Sequence, residues 1–285
     1  MALVYMKFPE GRGKALTFSY DDGVVQDKRL IEIFDKYGLK ATFNLNSKVL
    51  YEGKGKCVPD WWNPLSLDEA KALYINSGHE IALHTHTHPH PHVIHSDIMA
   101  HEIIKNREIL EKEFGGVITG MAYPMGSYNE ETLEVLKACG VSYSRTVKST
   151  SGFNYPPENW LALNPTCHHN HEKIFDLAEK FISLNWSRAA LNAMFYIWGH
   201  SYEFDQNNNW DHMEKLCEML SGKDDIWYAT NIEIYNYQKA FDSLKISLDG
   251  NTIYNPSATD VWVKHNETMW DGEIVCIPAG KTIQL

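Results

Sequence analysis

Lys14-Ala15-Leu16-Thr17-Phe18-Ser19-Tyr20-Asp21-Asp22-Gly23 leads into Asp27–Tyr37, then Gly38, then Leu39–Leu45, and this stretch decides the fold. The first run is short and largely apolar, so it reads as a buried strand. Asp27–Tyr37 carries apolar residues at helical spacing, and Gly38 supplies the left-handed residue that ends such a helix. Leu39–Leu45 reads as the next strand. Strand, helix and strand in succession imply parallel pairing and an α/β fold.

The same unit recurs outward from there. Ser66–Ser77 reads as a helix opened by a capping box of Ser66 with Glu69, stopped at Gly78, and followed by a strand at Glu80–His84. Ser96–Phe114 is a longer helix and Ile118–Tyr123 a strand. Glu130–Cys139 is a helix stopped at Gly140, and Val141–Thr146 a strand. Trp160–Leu163, Met194–Trp198 and Ile226–Ala229 read as further strands, with helices at Glu172–Leu184 and Trp210–Leu220. Seven or eight such units fit a distorted TIM-like (β/α) barrel better than a short open sheet. In such a barrel the chemistry gathers at the C-terminal strand ends. Asp21, Asp22, His84, Pro124 and His200 all fall there.

Past about residue 240 short strand-like runs alternate with turns at Asp249-Gly250-Asn251, Asn255-Pro256 and Ala279-Gly280. Residues 1–240 are therefore expected to form a catalytic barrel and residues 241–285 a small β-rich appendage.

Composition narrows the class. A 285-residue chain is long enough for one large core, and its net charge of −11 disfavours nucleic acid or an anionic membrane as the main partner. Five cysteines, Cys57, Cys139, Cys167, Cys217 and Cys276, form no CxxC pair and leave one thiol over, which points to a reducing compartment. No run approaches the ~18 apolar residues of a membrane span. A cytoplasmic location is expected for the chain as given; a secreted or periplasmic one is compatible if a leader has been removed. Oligomeric state is not legible. Among the aromatics, the exposed pair Trp61-Trp62 is a candidate sugar-stacking element beside the more ordinary reading of core packing.

Adjacent carboxylates repel, so Asp21 and Asp22 at the mouth of a buried strand need a cation or strong donors. His84-Thr85-His86-Thr87-His88 ends another apolar run and offers imidazoles. His84 and His88, four apart, share a face of a helix or a turn, and two His with one carboxylate such as Asp22 is a common catalytic zinc set. His86, His90, His92 and His95 offer other pairings. One aspartate on the metal and the other handling protons describes a metal hydrolase.

Ser19-Tyr20-Asp21-Asp22-Gly23 resembles the first motif of the polysaccharide deacetylases, the NodB-homology domain of carbohydrate esterase family 4. Gly78-His79-Glu80-Ile81-Ala82-Leu83-His84-Thr85-His86-Thr87-His88-Pro89 resembles the second motif, Tyr123-Pro124-Met125-Gly126-Ser127-Tyr128-Asn129 the third, and Trp198-Gly199-His200 the last. The resemblance covers residues 14–235 and implies a metal-dependent hydrolase that removes acetyl groups from an N-acetylated or O-acetylated carbohydrate. Asp21 is then the base and a metal-bound water the nucleophile. Asp22, His84 and His88 hold the metal, zinc by default with cobalt, nickel or manganese compatible. His200 is the acid, and the backbone N–H of Met125 an oxyanion donor. Tyr123 and Pro124 line the groove.

The chain departs from the family at three places, one of them Met125, which stands where the third motif has an aromatic and alters the groove wall but not the backbone donor. Ala122 occupies the slot of an arginine that orients the base, and Arg145 is the candidate substitute. The fourth motif, an Asp and Trp segment that tunes the acid histidine, has no clear counterpart, and His168 or His169 in the corresponding region is a candidate pocket residue. Cys167 beside them reads as a packed thiol. Two other readings stand beside this one: hydrolysis of another C–N bond in a small cyclic amide or ureide, and a non-catalytic glycan-binding relative.

Overall fold

The structure is a computed structural model and describes residues 2–53, 61–185, 191–266 and 272–285. Cys57 lies outside the described residues. In chain order the elements begin with β1 (Leu3–Lys7), β2 (Lys14–Asp21), α1 (Asp27–Tyr37), β3 (Ala41–Leu45), α2 (Ser47–Glu52), α3 (Leu67–Tyr74), β4 (Glu80–Leu83) and α4 (Ser96–Phe114). Then come β5 (Gly120–Ala122), α5 (Glu130–Ala138), β6 (Tyr143–Arg145), β7 (Asn154–Tyr155), β8 (Cys167–His168), α6 (Ile174–Ser183) and β9 (Asn192–Gly199). The chain continues through α7 (Tyr202–Gln206), α8 (Trp210–Leu220), β10 (Ile226–Tyr228) and α9 (Asn231–Asp242). It ends with β11 (Lys245–Ile246), β12 (Thr252–Tyr254), β13 (Val261–Asn266), β14 (Glu273–Ile277) and β15 (Thr282–Gln284).

The main sheet runs β6-β5-β4-β3-β2-β9, parallel throughout, with β8 parallel to β9 and β10 parallel to the start of β2. It curls into a barrel. Leu163 bridges Arg145 of β6, and a few residues later Cys167 and His168 pair with Ile197 and Trp198 of β9, so one segment links the two flanks of the sheet. This is the α/β barrel architecture expected from the sequence. Two local expectations fail. Trp160–Ala162 is a 3-10 turn rather than a strand, and only Leu163 after it joins the sheet. Gly78 does not end α3, which stops at Tyr74; it sits in the following turn at φ 75°.

Strand alternation explains where the site lies. In β2, Leu16, Phe18 and Tyr20 pack into the core under the helices, with Phe18 and Phe34 of α1 4.8 Å apart between ring centres. Successive side chains point to opposite faces, so Thr17, Ser19 and Asp21 turn into the barrel. There they meet polar partners. Thr17 donates to Asn231 at 2.8 Å, Asn231 donates to the Tyr196 hydroxyl at 2.6 Å, and Asn44 donates to Ser19 at 2.8 Å and to Asp21 at 2.9 Å. At the opposite end of the barrel interior, Glu80 accepts from Thr42, Tyr143 and the Ile232 amide. Asp21 is the last member of this polar column, at the C-terminal mouth.

The C-terminal strands form two small antiparallel sheets, β1-β13-β14 and β11-β12-β15. The first recruits the N-terminal strand β1. Tyr237 of α9 ties this layer to the barrel, donating to the Lys7 carbonyl and accepting from the Trp262 amide, both at 2.8 Å. No helix among the described residues is long and apolar enough to cross a membrane.

Candidate metal centre and its surroundings

Asp22 follows the last residue of β2, and the chain turns sharply there. Asp22 has φ 80° and Gly23 φ 63°. Its Oδ1 lies 3.7 Å from His84 Nε2 and 3.7 Å from His88 Nε2. The histidines come from the turn after β4, where Thr85 (φ 63°) and His88 (φ 60°) also hold left-handed conformations. Non-glycine residues rarely adopt this conformation without support from their surroundings.

That support is visible. Asn106 of α4 accepts from the His84 amide at 3.1 Å and donates to the Leu45 carbonyl at 3.0 Å. Glu102, one turn earlier, accepts from the Thr87 amide at 2.7 Å and the Thr87 hydroxyl at 2.8 Å. Asn46 donates to the Thr85 carbonyl at 3.2 Å and more closely to that of His84.

The set fits a divalent ion. The Ala122 carbonyl lies 2.8 Å from His84 Nδ1, which places the ring proton on Nδ1 and leaves a lone pair on Nε2, toward Asp22. Burial, against the opposing influence of Asp21, pushes the His84 imidazole down to about 4, so it is neutral at pH 7. Two imidazole nitrogens and a carboxylate oxygen 3.7 Å apart can close on one cation with small side-chain movements. His86 instead faces Ser47 Oγ at 2.9 Å, outside this group.

Asp21 sits behind the trio, almost fully buried. Arg145 donates to its Oδ2, and Asn44 donates to Oδ1 at 2.9 Å. Burial raises the carboxyl pKa, but the Arg145 guanidinium and then His84 and His200 outweigh it and hold Asp21 down at about 2. Arg145 is fully buried and lies 4.5 Å from the centre of the Trp198 ring. Its sheet neighbour in register is Ala122. The guanidinium thus enters from the adjacent strand at the level of the alanine.

His200 follows the end of β9, with Nε2 3.9 Å from Asp21 Oδ2. Its ring stacks on Tyr202 at 5.0 Å. Burial lowers its pKa, but Glu203 and the two aspartates more than offset this and the net shift is upward. Sequence reading missed Glu203, at position i+3 from His200. Its Oε1 lies 3.5 Å from His200 Nδ1, and its Oε2 lies 3.0 Å from Nε2 of both His168 and His169. Burial raises the Glu203 pKa, but the three histidines hold the carboxyl far below the ordinary range.

The remaining expectations divide. Met125 reaches the rim of a cleft of about 590 Å³, with φ 55°, and Asp22, His88, Trp61, Trp62 and Tyr202 line the same cleft. Tyr123 and Pro124 do not line it. Both are buried, and Tyr123 donates to the Leu161 carbonyl at 2.6 Å while stacking on Tyr128. The backbone turns outward only at Met125. His169 is likewise no pocket residue, since it is fully buried against Phe204 and Tyr20. His168 is half-buried and turned toward Glu203. Burial pushes the Cys167 thiol up to about 12, which leaves it protonated and inert.

Residues 9–144 match the family model described as polysaccharide deacetylase, the family that the sequence motifs resemble. No curated protein matches the chain by sequence. Among solved structures, the chain is similar to a Mycobacterium smegmatis protein assigned as a polysaccharide deacetylase. The two share 16% identity and a TM-score of 0.60 over 84% of this chain and 94% of that one. It is similar to Puue allantoinase at 12% identity and TM-score 0.61, over 80% and 91% of the two chains. The Streptococcus pyogenes deacetylase PplD, solved with acetate, shares 24% identity at TM-score 0.45. That match spans 51% of this chain and 61% of PplD. The likenesses to the M. smegmatis protein and to allantoinase establish a shared fold.

Proposed function

We propose that this chain, matched to the polysaccharide deacetylases over residues 9–144, is a metal-dependent hydrolase of acetylated carbohydrate, acting on an N-acetyl or O-acetyl group. The observation that carries the reading is the convergence of Asp22, His84 and His88 beside an arginine-clamped Asp21, with His200 facing that same Asp21 from the next strand.

Asp22, His84 and His88 would hold the ion, zinc by preference for this donor set. When bound it supplies Lewis acidity and lowers the pKa of a water. Asp21 takes the proton of the attacking water. A carboxylate held near 2 is a weak base, adequate for a water already acidified, and Arg145 with Asn44 fixes its orientation. The Met125 amide faces the oxyanion that develops on the acetyl carbonyl. His200, its proton stabilised by neighbouring carboxylates, delivers that proton to the leaving nitrogen or oxygen. The proton lost by water and the proton gained by the leaving group thus pass through different residues.

The cleft favours a saccharide over a small cyclic ureide. At about 590 Å³, with Trp61, Trp62 and Tyr202 on its walls, it offers aromatic faces and room for more than one ring. Acetate release from chitin oligomers and acetylated xylan, set against ring opening of allantoin, tests the choice; turnover of allantoin alone would refute it. Replacing His200 with Ala should lower turnover on the acetamide by ~100-fold or more with metal content retained. Equal loss of metal and turnover would make His200 a ligand instead.

A further inference from the structure

We propose that Glu203 is the positioning residue for His200, and that His168 and His169 lock its carboxylate in place; the inference rests on the reading of His200 as the acid. Besides accepting from the His200 amide through Oε2 at 3.4 Å, the carboxylate faces three imidazoles. Oε1 faces His200 Nδ1 at 3.5 Å, and Oε2 lies 3.0 Å from Nε2 of both His168 and His169. At 3.5 Å the His200 Nδ1 contact falls short of a hydrogen bond, a common state for a catalytic contact that tightens when substrate arrives.

Proton placement follows from the partners. The Asn170 amide donates to His168 Nδ1 at 3.2 Å, so the His168 proton resides on Nε2 and is directed at Glu203. His169 is fully buried and burial lowers it to about 4, so it is neutral; its Nε2 packs 3.0 Å from Glu203 Oε2 without hydrogen-bond alignment. The Nε2 atoms of two imidazoles thus face one carboxylate oxygen. The other oxygen is left to receive Nδ1–H of His200, which directs His200 Nε2 toward Asp21.

Gly199 makes the arrangement sterically available. A Cβ at this position would sit 2.0 Å from His169 Nδ1, so any other residue before His200 would expel the His169 ring. The cluster also has the composition of a metal site, with His168, His200 and Glu203 close together. The Asn170 bond argues against that use, since a ligating Nε2 would require its proton to move to the nitrogen that already accepts from Asn170.

His200 is also faced by Asp21 and Asp22 from the end of β2, by His169 from the β8 end, and by the Tyr202 ring. A general acid matters when the leaving group is poor and little when it is good. The test therefore compares zinc-loaded wild type with Glu203→Gln on N-acetylated chitin oligomers and on 4-nitrophenyl acetate, together with an NMR titration of His200. The expected loss in kcat is ~100-fold on the acetamide and at least tenfold smaller on the ester. The His200 pKa should fall by about one unit, with one zinc per chain in both proteins. Equal loss on the two substrates, an unmoved His200 titration, or one zinc fewer in the variant would overturn the proposal. If wild type hydrolyses no acetamide, the deacetylase reading fails, and the His200 titration still decides the role of Glu203.

Discussion

Arg145 and Ala122 are neighbours in register on adjacent strands, and this pairing bears on the part of the site that departs most from the family pattern. The arginine reaches Asp21 from one strand over. Removing it leaves a carboxylate buried with Asn44 as its remaining close donor, and breaking a buried ion pair by deleting one partner costs about 3–5 kcal/mol. Arg145→Ala should therefore lower both unfolding free energy and kcat/KM, the latter by ~100-fold. Arg145→Lys should recover more stability than activity, because an ammonium keeps the charge but not the fork. Urea unfolding and acetate release check the pair of expectations; full activity in Arg145→Ala would remove the residue from the mechanism. Asp21, Asp22, His84, His88 and His200 were legible in the sequence because each sits in a short local motif at a strand end. The Arg145 contact was legible only as a candidate, since a side chain supplied from the adjacent strand leaves no local trace in the sequence. Glu203 was missed, although an acidic residue at i+3 from a candidate acid histidine is a usable signal.

At the scale of elements, the turn after β4 depends on α4. Asn106 and Glu102 clamp its backbone from the helix, so the histidines are set by residues that touch no ion. Outer groups of this kind typically tune metal affinity by ~10–100-fold. Asn106→Ala should weaken zinc binding by about that factor, measured by competition with a chelator, while Lys105→Ala on the exposed face should not. Unchanged affinity in Asn106→Ala would mean the turn holds itself. The limits of three helices were legible: α1, α4 and α8 match their expected bounds. The helix α9 stands unassigned in the sequence. Its Thr230 and Glu233 capping box is the signal that marks it.

Across the whole molecule, the barrel interior is a polar column with Glu80 near one end and the candidate metal centre at the other. Burial pushes the Glu80 carboxyl from 4.5 up to about 7, despite three donors. A folded-state value raised above the unfolded one means that its contribution is fully present below about 4.5 and is lost as pH rises through about 7. The loss amounts to about 3 kcal/mol. Between pH 5 and pH 8, Glu80→Gln should therefore lose less unfolding free energy than wild type; parallel profiles would refute the argument. The barrel was legible from the repeated helix and strand units, whereas the closure through Leu163 and β8 was not, because so few residues carry it. The central claim is that Asp22, His84 and His88 hold an ion on which deacetylation depends. Acetate release from an N-acetylated chitin oligomer, measured on metal-stripped and zinc-restored wild type and Asp22→Ala, tests it most directly. The account predicts no release without metal, recovery at one zinc per chain in wild type, and neither zinc binding nor recovery in Asp22→Ala. Acetate release by the stripped protein, or full activity in Asp22→Ala, would contradict it.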